Sequence, residues 1–190
     1  MRAGCLLIGD LLFEPEALSD WLSFLSEKGL CAEAFRPGEG ELHLSLQRAY
    51  QRVRQEDGLS MILAAGSGCD CALALAGQLP VDRLALIHPL DWRARGGRAA
   101  ALNRVRRYAR RGASFCVADV LMLPGLHTAP GLVRQWEKAL CNSRVTCSET
   151  TEDMWTNRKE VIKLAVYRFL MEGLPPKSLA QNSEMCIIYG

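Results

Sequence analysis

At 190 residues, with 49% hydrophobic and 23% charged positions, the chain has the composition of one ordinary globular domain. Roughly 70% of the unfolded surface can be buried at this length, so neither a disulfide nor a metal is needed to hold a core. A net charge of +2 excludes a charge-rich disordered chain, and the longest apolar stretch, Met61 to Leu79, carries Ser67, Gly68 and Asp70 and is no membrane span.

Short apolar runs then alternate with amphipathic helical patterns. Cys5 to Ile8 has no polar face, as a strand covered on both sides requires. Pro15 suits the first turn of a helix whose apolar positions are Leu18, Trp21, Leu22 and Leu25, and Gly29 stops it. Leu30 to Phe35 reads as a second strand, and Leu46, Ala49, Tyr50 and Val53 mark the next helix. Leu59 to Ala64 is a third strand, residues 70–78 a helix, and Arg83 to Ile87 a fourth strand. Phe115 to Leu123 and Arg144 to Cys147 are two more, separated by a helix carrying Leu132, Val133, Trp136 and Leu140. A last helix starts near Asn157, with Glu160 placed as in a capping box, and ends at Gly173-Leu174-Pro175-Pro176. This alternation predicts an α/β fold: a three-layer α/β/α sandwich on a mostly parallel sheet of about six strands. Residues 1–173 read as one domain and 174–190 as a C-terminal tail.

Charge and cysteine content are both uneven. Residues 93–111 hold eight arginines and no acid, so the rest of the chain is net acidic. That segment reads as a solvated helix packing Ala99, Leu102 and Val105 inward, or as a rim for an acidic ligand. Nucleic acid is disfavoured, because no recognised binding motif or aromatic interleaving is present. Eight cysteines sit mostly inside apolar runs, without a paired zinc-ligand spacing; they read as reduced, buried thiols. With no export signal at the N-terminus, the expected compartment is the cytoplasm. No metal or cofactor is expected, and the oligomeric state is open.

The junction Met61-Ile-Leu-Ala-Ala-Gly-Ser-Gly-Cys-Asp70 is where chemistry is expected. An apolar strand runs through a tight Gly-Ser-Gly turn straight into a helix. Ligands of open parallel sheets bind beyond the carboxyl ends of the strands, and helix-opening N–H groups there can stabilise an oxyanion. Cys69 is a weaker nucleophile candidate, one helical position past the apex.

These residues resemble the α/β-hydrolase superfamily, most closely its esterase, monoglyceride-lipase and serine-aminopeptidase branch. Leu6-Leu7-Ile8-Gly9-Asp10-Leu11 stands where that family has a strand and an H-G pair, and Pro37-Gly38-Glu39-Gly40 where it has a glycine-rich turn. Ala65-Gly66-Ser67-Gly68-Cys69-Asp70 looks like its nucleophile elbow, and Trp155 to Val161 like the start of its last helix. The likeness spans residues 4–172, with 93–111 as a reduced lid.

The resemblance implies a serine hydrolase of small esters or amides, with Ser67 as nucleophile and the Gly68 and Leu11 amides as oxyanion hole. The catalytic motifs are degenerate. Ala65 and Cys69 replace elbow glycines, and a Cβ at Cys69 is expected to crowd the helix–strand contact. Asp10 replaces a residue beside the oxyanion hole, where an acid opposes negative charge. His127 falls at the family's acid position and Asp153 at its base position, so the pair is carried, if at all, with its members exchanged. His88, at a strand end, matches neither. The other outcome is a non-catalytic relative that binds an anionic ligand or a partner through the elbow pocket, lined by Asp10, Cys69, Trp92, Arg93 and Arg95.

Overall fold

Strands apolar on both sides are stable only with both faces covered, and the two-sided runs of this sequence become one buried sheet. The computed structural model describes residues 3–9, 15–36, 42–54, 58–66, 68–89, 117–125, 140, 143–148 and 159–173. In chain order they form β1 (Ala3–Ile8), α1 (Pro15–Glu27), β2 (Cys31–Phe35), α2 (Leu42–Val53), β3 (Leu59–Ala65), α3 (Gly68–Ala76), β4 (Val81–Ile87), β5 (Val117–Leu123), β6 (Arg144–Cys147) and α4 (Lys159–Glu172). The six strands lie in the order β2-β1-β3-β4-β5-β6, and every neighbouring pair is parallel.

Alternation along the strands divides the core into two layers. Leu6, Ile8, Ile62, Ala64, Leu84 and Leu86 pack under Leu46, Ala49 and Tyr50 of α2 and Ala72, Leu73 and Ala76 of α3. Cys5, Leu7, Met61, Leu63, Ala85 and Ile87 pack on the opposite face, under Trp21 and Leu25 of α1 and Ile162, Val166 and Phe169 of α4. The expected α/β/α sandwich is therefore present, with every strand pair parallel rather than most. Leu140 is buried with the α2–α3 layer. The remainder of the helix expected around Leu132 to Leu140, the arginine-rich 93–111 and the tail 174–190 lie outside the described residues.

Several boundaries move by one or two residues from their sequence positions, and two of these shifts have a visible cause. β4 starts at Val81 rather than Arg83, because Val81 is buried and the Asp82 carboxylate accepts the Ser60 N–H at 2.7 Å, extending the pairing with β3. α3 opens at Gly68 rather than residue 70, for a reason that belongs to the site below. The cysteine reading also needs correction. Cys5 and Cys69 are buried, and burial pushes the Cys5 thiol up to about 12, which leaves it unreactive. Cys31 and Cys147 are exposed instead, because β2 and β6 are the two edges of the sheet. The five described cysteines form no disulfide. Among the described residues no helix is long and apolar enough to cross a membrane.

Polar ties sit where strands begin and where helices meet. Asp119, 8% exposed, accepts from Arg144 Nε at 2.6 Å, and Arg83 Nη1 donates to Leu170 O at 2.6 Å, joining β4 to the end of α4. Lys163 of α4 is buried with its ammonium 2.8 Å from both Asp20 of α1 and Glu160. Burial opposes that charge, but the two carboxylates outweigh it and raise the Lys163 pKa above the ordinary lysine value. Gly4 marks the tightest contact: a Cβ there would stand 1.8 Å from Val53 O, so the end of α2 rests directly on β1.

Gly4→Ala is expected to cost about 3 kcal/mol, the upper range for overpacking, read as a lower urea midpoint at unchanged slope. The charged form of Lys163 is favoured by folding, so its contribution is complete below the ordinary lysine pKa near ~10.4 and fades as pH rises through the raised folded value. Unfolding measured against pH should show wild type holding a constant offset from Lys163→Met between about pH 7 and 9, then losing stability relative to it above about pH 10.5.

Candidate functional site

In an open parallel sheet, ligands bind where successive connections leave in opposite directions. That point lies between β1 and β3. From β1 the chain crosses through α1 to β2; from β3 it crosses through α3 to β4, and α1 and α3 cover opposite faces. Gly66 and Gly68, which flank Ser67 in the sequence, follow β3 at this crevice.

Two glycines there do different work. Gly66 has φ 55°, the left-handed region in which a side chain is strained. Its N–H donates to Ile87 O at 2.9 Å, so the chain leaves β3 still fastened to β4, and its carbonyl accepts the Cys69 N–H at 3.2 Å as the helix begins. Gly68 is required by contact rather than conformation. A Cβ on it would stand 2.5 Å from Ile8 O and 3.0 Å from Gly9 O. The first residue of α3 therefore rests on the exit of β1, which is why the helix can open at Gly68.

The crowding expected at Cys69 falls one residue earlier. Cys69 is 1% exposed, with Sγ 3.5 Å from both Ala64 O and Ile87 O, filling the space between the ends of β3 and β4. Beneath the end of β3, Leu18 and Trp21 of α1 with Leu7, Leu63 and Ala65 line a half-open apolar hollow that takes one water-sized group.

Further along the edge the strand exits are fastened in a row. Gly9 N–H donates to Phe35 O at 3.1 Å, His88 N–H to Leu123 O at 2.9 Å, and Ser148 N–H to Met122 O at 3.0 Å. Ser148 is 6% exposed, and its Oγ has no hydrogen-bond partner among the described residues. His88 has φ 47° and packs its ring on Gly125, where a Cβ would come within 2.8 Å of Cδ2. Sequence reasoning set His88 aside as matching neither family position and did not single out Ser148. The available signal was position alone: a histidine between an apolar strand and Pro89, and a serine directly after β6.

Of the residues expected at the site, the structure describes Gly68 and Cys69 and brings both to the β3–α3 junction. Ser67, Asp10, Leu11, Trp92, Arg93, Arg95, His127 and Asp153 lie outside the described residues. Among the described residues no three His, Cys, Asp or Glu side chains gather as a metal site.

No protein-family model matches this chain, and no curated protein matches it in sequence. Its fold does find likenesses among solved structures. The thioesterase domain from the curacin biosynthetic pathway aligns with a TM-score of 0.57 over 87% of this chain and 91% of that one, at 11% sequence identity. With the six-stranded parallel sheet, this makes the fold α/β-hydrolase-like. At that identity the likeness extends to the fold alone.

The two positions of the elbow should separate on substitution. Gly68→Ala is expected to lower stability by about 1–3 kcal/mol, since the obstacle is β1 backbone. Cys69→Ala, which removes one buried sulfur from a place that accepts a Cβ, should cost no more than about 1.5 kcal/mol. Equal costs in urea unfolding, or a larger one for Cys69→Ala, would contradict the placement of the tight contact at Gly68.

Proposed function

We propose that the chain is a divergent serine hydrolase of small esters, thioesters or amides, with Ser67 as nucleophile and catalysis slowed by its altered motifs. The observation that carries this reading is the β3–α3 junction. It lies at the topological switch point, with a left-handed glycine before Ser67 and a glycine pressed on the end of β1 after it. The α/β-hydrolase-like fold supports it, and the thioesterase among the similar structures brings thioesters into the substrate class.

In the proposed reaction Ser67 Oγ bonds to the acyl carbon, the carbonyl π pair moves to oxygen, and the hydroxyl proton passes to a histidine. The Gly68 and Leu11 amides hydrogen-bond the oxyanion; Gly68 packs against Ile8 and Gly9, the residues that lead into Leu11, and this supports the pairing. Collapse expels the alcohol, thiol or amine, which recovers the proton from the imidazolium. Water then repeats the sequence on the acyl-enzyme and releases the acid. For the proton the resemblance offers His127 with Asp153 in exchanged positions. Asp10 beside the oxyanion is the feature most directly opposed to rate. Trp92, Arg93 and Arg95 follow β4 in sequence and fit a rim that selects anionic acyl groups, on a domain of residues 1–173 with 93–111 as its reduced lid and 174–190 as a tail. The absence of disulfides among the described cysteines suits a reducing cytoplasm.

The full-length chain treated with a fluorophosphonate should gain one adduct, mapped to Ser67 by peptide mass spectrometry. Ser67→Ala, folded by circular dichroism, should gain none, and its hydrolysis of 4-nitrophenyl acetate should fall to the uncatalysed rate. Folded wild-type protein that takes no label would overturn the hydrolase and leave the elbow as a non-catalytic binding site for an anionic ligand or partner.

A further inference from the structure

The two faces of β3 are closed differently where the strand ends. On the α3 side Cys69 stands between the ends of β3 and β4, with Sγ 3.5 Å from both Ala64 O and Ile87 O, and Ile62 and Ala64 are fully buried. On the α1 side exposure rises toward the exit, from 0% at Met61 to 4% at Leu63 and 7% at Ala65. Leu18 and Trp21 of α1, which cover this end, also keep 7% each. The half-open hollow lies there, with Leu7 and Ile87 completing its walls.

Its cause is in the sequence. Leu7 pairs with Leu63, and Ala65 with Ile87, in the register of the sheet, so four side chains of one face meet at this point. Three are branched and one is a single methyl group, which leaves the layer short of volume at Ala65. Packed interiors leave few voids as large as a water molecule.

Position and chemistry define what fills it. The ends of β1, β3 and β4 are where an open parallel sheet takes its ligands. Water is a poor occupant, because it needs two to four polar partners. The walls here are apolar side chains, and the strands beneath them are paired with one another through their backbones. Bulk is excluded by size, since the hollow takes one water-sized group. What remains is a single methyl-sized apolar group entering from the exit side.

We infer that the hollow seats the methyl end of a short alkyl chain, carried by a small molecule whose polar remainder stays outside. The assignment uses none of the residues proposed to react, so it stands apart from the serine-hydrolase reading. Burying one methyl group brings about a fourfold gain in affinity. The seat therefore sorts ligands by whether they end in a methyl group, and leaves the rest of recognition elsewhere.

The test uses xenon, which enters dry apolar cavities, and methyl NMR spectra of the full chain. Signals of Leu7, Leu18, Leu63 and Ala65 should shift saturably with xenon pressure, while those of Leu44 and Leu164, exposed on α2 and α4, stay in place. Propan-1-ol should reverse the xenon shifts at least about fourfold more effectively than propane-1,3-diol, which differs only in ending with a hydroxyl. Ala65→Val fills the hollow with a residue suited to a strand, and the folded variant should lose the xenon response. If that variant fails to fold, Leu18→Ala carries the test: its wider hollow should bind benzene, which wild type refuses. Folded wild-type protein whose lining methyls ignore xenon would overturn the seat. So would a diol that displaces xenon as well as propan-1-ol does, an Ala65→Val variant that still responds, or benzene bound by both proteins or by neither. Fluorophosphonate labelling of Ser67 is indifferent to all of these, so the seat and the hydrolase fail separately.

Discussion

Six strands running in the same direction cannot be joined by hairpins, so every connection must return across a face of the sheet. Nearly everything else in the molecule follows from that. The strands must be apolar on both sides, and β1 is buried along its whole length while β3 is buried from its second residue on. The returning helices must be apolar toward the sheet, and they divide into a layer of α2 and α3 and a layer of α1 and α4. Most consequentially, all six strands end at one edge, so the chain is obliged to make its tightest turns side by side. A functional edge is thus a by-product of direction before any reactive residue is considered.

Helix packing on such a sheet is limited by backbone contacts as much as by side chains. α2 ends with a carbonyl over Gly4, at the amino end of β1, and α3 begins with Gly68 over the carbonyls of Ile8 and Gly9, at its other end. Both helices belong to the same layer, and both meet the same strand where it lacks or excludes a side chain. β1 is therefore the line along which that layer is seated. The apolar side chains between supply most of the burial, at about 25 cal/mol per Å² removed from water, while the two glycines set how closely the helices approach. Lys163 does the corresponding work in the other layer by a different means, an ammonium shared between Asp20 of α1 and Glu160 of α4.

Periodicity made the elements legible because burial on one side or two is written in residue spacing. Cys5 to Ile8 announces a covered strand, and Leu46, Ala49, Tyr50 and Val53 announce one helical face, with no knowledge of neighbours. Which strand ends up at an edge is a property of topology, and no local pattern carries it; the exposed Cys31 and Cys147 were read as buried for that reason. The elbow was legible as a Gly-Ser-Gly turn between strand and helix, yet its critical contact was assigned to Cys69 instead of Gly68. Helix phase decides which residue faces β1, and that phase depends on where α3 starts, the least legible quantity in the chain. The left-handed turn at His88 was hidden for a related reason. A histidine before proline reads as extended, and only the hydrogen bond to Leu123 and the vacant side of Gly125 reverse that preference.

The edge of the sheet also separates two tasks that a reactive site must perform. Its described floor on the α1 side is apolar, with Leu7, Leu18, Trp21, Leu63 and Ala65 around a small half-open hollow. A floor of that kind holds turns rigidly in place, which suits groups that must meet a reacting carbon at hydrogen-bond distance. In the hydrolase reading proposed above, discrimination between acyl chains falls to residues that follow the strands, and the sequence after β4 is of a different character: eight arginines between 93 and 111 on a chain whose remaining residues are net acidic. The turns at Gly66 and His88 are fixed by bonds to Ile87 and Leu123, in which no arginine takes part.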